Sequence, residues 1–221
     1  MAKRQLRRIG GASLESQDER IEDSGVVAFD FDGTLTIRDS YTAFLRWRAG
    51  AVRYHLGLIR LAPAAIAYLG HRNRGRIKAA ATREFLRGVP RERLEADAQT
   101  FATLMAPRLL RPDALRIWRR WGQRRAKLVI VTASPQLIVA PFARGLGADM
   151  ILGTELVFDE QGRATGAFAS ANCRGAEKVL RLQEVFGADI RLRAAYGDTS
   201  GDREMLAIAE EPGYRVFVEK P

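Results

Sequence analysis

With 221 residues, 47% hydrophobic and 28% charged, the chain has room for one α/β core plus a modest insertion, which excludes both disorder and three independent domains. The net charge of +10 points first toward nucleic acid, but it is local. Residues 1–37 and 126–221 each carry a net −2, whereas residues 38–125 hold 20 Lys/Arg against 6 Asp/Glu, a net of +14.

Residues 1–24 are polar and charged, lack the apolar stretch of a secretory signal, and are expected to form a mobile tail. Val26–Phe31 (VVAFDF) is β-branched and aromatic and is expected to be a buried strand. From Asp39 to Gln123 alanine, leucine and arginine dominate, with helical spacing at Leu94, Phe101, Leu104 and Met105. That predicts a helical insertion over 39–123, between core segments 25–38 and 124–221. Its most apolar run, Leu61–Gly70, is half the length of about 20 residues that a membrane-crossing helix needs, so none is expected. Lys127–Val131 predicts a second strand, Pro135–Leu146 a helix and Asp149–Leu152 a weaker strand. Leu156–Phe168 has the pattern of a hairpin turning at Asp159–Gly162. Helices over Ala176–Phe186 and Asp202–Ala209, with strands at Leu192–Tyr196 and Tyr214–Val218, complete the alternation. The expected class is α/β: a doubly wound, Rossmann-like parallel sheet. The one cysteine, Cys173, can form no internal disulfide and fits a reducing, cytoplasmic setting.

Four groups of residues carry chemistry. Asp30-Phe31-Asp32-Gly33-Thr34 closes the first strand, and in an open parallel sheet the reactive crevice lies outside such strand ends. Two carboxylates around a buried residue are costly unless paired or metal-bound. Thr132-Ala133-Ser134-Pro135 follows the second strand, with Ser134 as helix cap and Pro135 at the first helical position, so its N–H groups suit an anion. Lys178 lies near the start of the next helix. Gly197-Asp198-Thr199-Ser200-Gly201-Asp202 adds two acids suited to a hard cation.

In this order the four groups resemble the haloacid-dehalogenase superfamily of phosphohydrolases, over Val26 to the C-terminus. The resemblance implies that Asp30 attacks phosphorus and forms an aspartyl-phosphate, while Asp32 protonates the leaving oxygen and later deprotonates water. Thr132 and Lys178 would hold the phosphoryl oxygens. Mg2+ would be held by Asp30, the Asp32 carbonyl and Asp198, with Asp202 supporting that shell. Gly33, Thr34, Ala133 and Ser134 are the expected phosphate contacts, and Asp39 is the expected substrate contact from the insertion. Asp32 favours phosphoester hydrolysis over the dehalogenase and ion-pump branches, which lack it.

The insertion resembles the cap of the phosphoserine-phosphatase-like subfamily. TASPQ at Thr132–Gln136 and Asp39 both depart from phosphoserine phosphatase itself. DFDGTL at Asp30–Leu35, FLRW at Phe44–Trp47, the apolar Leu58–Leu69, TASPQ and GAEKV at Gly175–Val179 are similar to the bacterial phosphatidylglycerophosphatase C group. That likeness implies an anionic lipid phosphomonoester as substrate and peripheral association with the cytoplasmic face of the inner membrane. An insertion of net +14 flanking an apolar segment suits an anionic surface; equally, the apolar segment packs inside the cap. The alternatives are a soluble phosphatase for a small metabolite such as phosphoserine, and a nucleic-acid module on an inactive scaffold. Intact Asp30, Asp32, Lys178 and Asp198 weigh against the last, as does the scarcity of aromatics among the basic residues.

Overall fold

The computed structural model describes residues 25–62 and 74–221; the expected tail and most of the run Leu61–Gly70 lie outside them. The described residues form the strands β1 (Val26–Phe29), β2 (Lys127–Pro135), β3 (Met150–Thr154), β4 (Leu156–Phe158), β5 (Ala164–Phe168), β6 (Leu192–Gly197) and β7 (Ala209–Tyr214). Five of them form one parallel sheet in the order β3-β2-β1-β6-β7, with Val27 opposite Leu128 on one side and Ala194 on the other. The remaining pair, β4 and β5, is the expected antiparallel hairpin.

Parallel sheets need cover on both faces, and the two-residue period of the strands divides the core accordingly. Val27, Phe29, Leu128, Ile130 and Ala194 belong to one buried cluster, Ala28, Val129, Val131 and Ala195 to the other. The helices are α1 (Ser40–Arg60), α2 (Arg74–Leu86), α3 (Arg91–Leu109), α4 (Pro112–Gln123), α5 (Gln136–Leu146), α6 (Ala176–Phe186) and α7 (Arg203–Ala207). Trp118 and Trp121 of α4 and Ile138 and Phe142 of α5 cover the first face. Leu182 of α6 and Met205 and Leu206 of α7 cover the second. Between residues 39 and 123, α1 to α4 are helical as the spacing predicts, though α1 breaks at Gly50, whose φ of 72° and ψ of 164° are not helical. A run of rings ties these helices to the sheet: Phe44 to Phe101 at 5.5 Å, Phe101 to Phe142 at 5.9 Å, and Phe142 to Phe31 at 5.4 Å.

The structure corrects three expectations. The last strand is Ala209–Tyr214, not Tyr214–Val218. Gly213 allows it to lie against the Tyr196 ring, since a Cβ there would come within 2.4 Å of Tyr196. Pro212 is tolerable because the strand is at the sheet edge. The preceding helix is correspondingly short, Arg203–Ala207 after a 3-10 turn at Ser200–Asp202. Finally, β2 runs on to Pro135 through an irregularity after Val131, so α5 starts at Gln136 and Pro135, not Ser134, is its cap residue.

β1 lies between β2 and β6, where the chain winds off in opposite directions. The crevice beyond its C-terminal end is therefore the switch point of the sheet.

Candidate active site

Asp30 emerges from β1 at that switch point, 6% exposed, and its N–H donates to the Tyr196 carbonyl at 2.9 Å. The next five residues, Phe31–Leu35, form one tight turn, closed by Thr36 N–H donating to the Phe31 carbonyl at 2.9 Å. Gly33 is required twice over: its φ is +89°, and a Cβ would meet Asp198 Oδ2 at 2.3 Å. That close approach brings the strand-end carboxylates of β1 and β6 together. Asp30, Asp198 and Asp202 each offer an oxygen within 4.8 Å of the others, a hard-oxygen donor set.

Lys178 enters from the first turn of α6 and is 1% exposed. Its ammonium lies 2.6 Å from Asp30 Oδ1, 2.6 Å from the Val131 carbonyl and 2.8 Å from Asp202 Oδ1. Three acceptors use all three N–H bonds, so Lys178 holds Asp30 in place and has no N–H left for a ligand in this state. Burial is the largest influence on Asp30 and raises its pKa to about 7, Lys178 pulling against it. For Lys178 burial disfavours the charge, but Asp30 and Asp202 outweigh it and the pKa rises.

Asp202 is where geometry separates two similar acids. Oδ2 accepts from Thr199 N–H at 2.9 Å, Thr199 O–H at 2.9 Å and Asp198 N–H at 3.2 Å, while Oδ1 takes Lys178. Both oxygens are committed to protein donors. Burial opposes its charge, yet Lys178 and the Thr199 donors hold its pKa below the usual carboxylate range. Asp198 is half-buried, its carboxylate accepts from the Thr34 hydroxyl at 3.5 Å and from no other side chain among the described residues, and burial followed by Asp202 pushes its pKa up. Asp198 is the carboxylate free to bind a cation; Asp202 shapes the loop that presents it.

Asp32 points to the other side of the turn. Its Oδ1 accepts Ser40 N–H at 2.7 Å and its Oδ2 the Ser134 hydroxyl at 2.5 Å. Burial first, then Asp39, raises its pKa, with the Ser134 and Ser40 donors opposing. A carboxyl so placed is suited to carrying a proton. Ser134 thus serves Asp32 and not the helix end, and its own N–H is taken by Thr132 Oγ1 at 3.0 Å. Thr132 is fully buried and does not line the cavity, while Thr34 donates to Asp30 Oδ2 at 3.2 Å. Gly33 and Ala133 line the cavity. Asp39, expected as a substrate contact, caps α1 by accepting Thr42 N–H at 2.6 Å, although it too borders the cavity.

The cavity holds about 780 Å3 and is asymmetric. Its floor carries Asp30, Asp32, Lys178 and Asp198; its upper wall is Leu45, Tyr54, Leu58, Leu61, Ile77, Ala81 and Phe85, from α1, α2 and the residue that ends α1. Lys78 of α2, Arg38, Asn172 and Arg174 also reach it and were not singled out from the sequence. One signal was available for Lys78: it is the single lysine beside 19 arginines in residues 38–125.

The model of the haloacid dehalogenase-like hydrolases matches residues 27–207, most of the chain and all four residue groups. The chain belongs to that family. It is 58% identical over 222 residues, across the whole of both chains, to Protein CicA of Caulobacter vibrioides. Among solved structures it superposes on a Bordetella pertussis protein of unknown function with a TM-score of 0.70 at 19% identity, covering 85% of this chain and 88% of that one. A substrate-bound phosphoserine phosphatase gives a TM-score of 0.58 at 18% identity, covering 86% and 84%. These two likenesses extend the shared fold through the helices between residues 39 and 123.

Proposed function

We propose that this hydrolase is a Mg2+-dependent phosphomonoesterase working through a phosphorylated Asp30. The observation that carries the proposal is a buried carboxylate fixed by a saturated lysine at the floor of a large cavity, with a second buried carboxyl, its pKa raised by that burial, two residues away. Asp30 attacks phosphorus and the ester oxygen leaves with a proton from Asp32. Asp32, now ionised, accepts a proton from water as that water attacks phosphorus, which restores Asp30 and frees phosphate. Lys178 keeps Asp30 oriented and offsets its charge; Ser134 and Ser40 hold Asp32. Asp30 and Asp198, with the Asp32 carbonyl, are the groups suited to Mg2+, which supplies positive charge against the phosphoryl oxygens. Asp202 acts on that set by fixing Asp198 and Lys178.

The substrate favoured is a lipid phosphomonoester, phosphatidylglycerophosphate in particular, reached from the cytoplasmic membrane surface. The apolar upper wall of the cavity supports it, as does the outer side of α1. There Val52, Leu56 and Ile59 are 77%, 49% and 70% exposed at helical spacing. No described helix is long and apolar enough to cross a membrane, so the contact proposed is peripheral. Phosphate release should be compared across phosphatidylglycerophosphate in mixed micelles, phosphoserine and soluble monoesters, with Mg2+ and with EDTA. Mg2+-dependent preference for the lipid is expected; preference for phosphoserine would remove the lipid reading and leave the chemistry.

A further inference from the structure

Lys78 reaches into the catalytic cavity from α2, where it meets the loop that carries Ala133. Its ammonium donates to the Ala133 carbonyl at 2.5 Å and lies 5.4 Å from the centre of the Tyr41 ring. The ring is itself braced: Tyr41 O–H and Thr82 Oγ1 are 2.7 Å apart, and Thr82 donates to the Lys78 carbonyl at 2.8 Å. Thr82 is fully buried. This places a lysine head firmly, yet with one acceptor for three N–H bonds among the described residues. Burial, its largest influence, disfavours the charge, with Asp32, Asp39 and Asp30 restoring part of it.

The position of Lys78 divides the cavity. Below it lie Asp30 and Asp32; on the same face of α2, Ala81 and Phe85 continue upward at positions i+3 and i+7, toward Tyr54 and Leu58 of α1. A leaving group that extends from the floor along α2 passes the ammonium before it meets Ala81 and Phe85. A neutral alcohol would offer no charge to the two N–H bonds of this half-buried ammonium that the Ala133 carbonyl leaves over.

We infer that Lys78 forms a second anion subsite, and that the substrate is a phosphomonoester whose leaving alcohol carries another anionic group, a phosphodiester or carboxylate, followed by an apolar tail. This rests on the phosphomonoesterase reading above. A lysine suits the task because it meets the anion as a compact charge, whereas the scissile phosphate is left to the floor.

The test compares kcat/KM for glycerol 1,3-bisphosphate, which has the second anion alone, phosphatidic acid, which has the tail alone, phosphatidylglycerophosphate, which has both, and p-nitrophenyl phosphate, which has neither. In Lys78→Met the ratio of bisphosphate to p-nitrophenyl phosphate should fall by about tenfold or more, chiefly through KM, with Lys78→Arg retaining most of it. Thermal melting of both variants checks that they fold. A proportionate loss on every substrate would make Lys78 a strut between α2 and the Ala133 loop and overturn the inference. If phosphatidylglycerophosphate gains nothing over the soluble bisphosphate, the apolar tail is refuted. If the wild-type protein cleaves none of the four with Mg2+, the phosphomonoesterase reading falls and the inference with it.

Discussion

Asp198 and Asp202 are the same residue type, four positions apart, and the structure gives them opposite contributions to stability. Replacing each by asparagine keeps the shape and removes the charge. In Asp202→Asn the new amide group must face donors in either orientation: toward Oδ1 it meets Lys178, toward Oδ2 the N–H groups of Asp198 and Thr199. Breaking a buried pair of this kind costs about 3–5 kcal/mol. For a chain of this size, 1 kcal/mol moves the melting temperature by about 2–4 °C, so a fall of roughly 6–20 °C is expected. Asp198→Asn removes a half-buried charge whose pKa is raised, and its melting temperature in EDTA should stay within about 4 °C of wild type, or rise. The pH dependence follows from the sign of the Asp202 shift. Its folded pKa is depressed, so its stabilisation is present above the unfolded value, about 3.9, and is lost as pH falls through the folded one. The share of the gap between wild type and Asp202→Asn that comes from Asp202 itself should therefore be full above about pH 5 and be lost below about pH 4. Differential scanning fluorimetry in EDTA across this range measures it. A fall of less than about 2 °C for Asp202→Asn at neutral pH, or an equal fall for both variants, would refute the assignment of Asp202 as the hub of this loop.

Gly33→Ala should lose Mg2+-dependent turnover by about 100-fold or more, because the added carbon occupies the place of Asp198 Oδ2 and adopts an unfavourable φ; steady-state kinetics with a soluble ester reads it. Asp113 accepts the N–H groups of Val218 at 2.7 Å and Glu219 at 3.0 Å, and although its slight burial acts the other way these donors lower its pKa. Asp113→Asn should speed hydrogen exchange at those two amides, and wild type should show the same fraying as acid protonates Asp113. Val52→Asp with Ile59→Asp should reduce retention on phosphatidylglycerol-containing vesicles in a sedimentation assay by about tenfold or more, with soluble-ester turnover kept within about twofold, since neither residue lines the cavity. Unchanged retention would remove the outer side of α1 from the membrane contact.

The sheet was legible because β1 and β2 are buried on both faces and read as continuous apolar runs, and because the carboxylates that follow β1 and β6 are costly at a strand end unless paired or metal-bound. The last strand was misplaced for a reason absent from hydrophobic pattern: Ala209–Tyr214 is an edge strand with two glutamates and a proline, positioned by Gly213 against Tyr196. The break of α1 at Gly50 hides in the same way, since one glycine inside a helical pattern is usually tolerated. Within the site, the residue types and their order named Asp30, Asp32, Lys178 and Asp198. The division of labour between Asp198 and Asp202 came from the family resemblance alone, since residue type and spacing do not say which oxygens already have donors. Nor could they assign Ser134 to Asp32, because the bond crosses 102 positions. Lys78 stayed hidden among basic neighbours, since its meaning comes only from the turn of α2 that faces the floor.

The central claim is covalent catalysis by Asp30, and stereochemistry at phosphorus tests it most directly. Hydrolysis of a chiral, isotopically labelled phosphomonoester in labelled water proceeds by two in-line displacements if Asp30 is phosphorylated, and by one if water attacks the substrate directly. Net retention of configuration is the outcome expected here, with loss of all turnover in Asp30→Asn. Net inversion would contradict the account, leaving Asp30 as a ligand or a base and not the nucleophile.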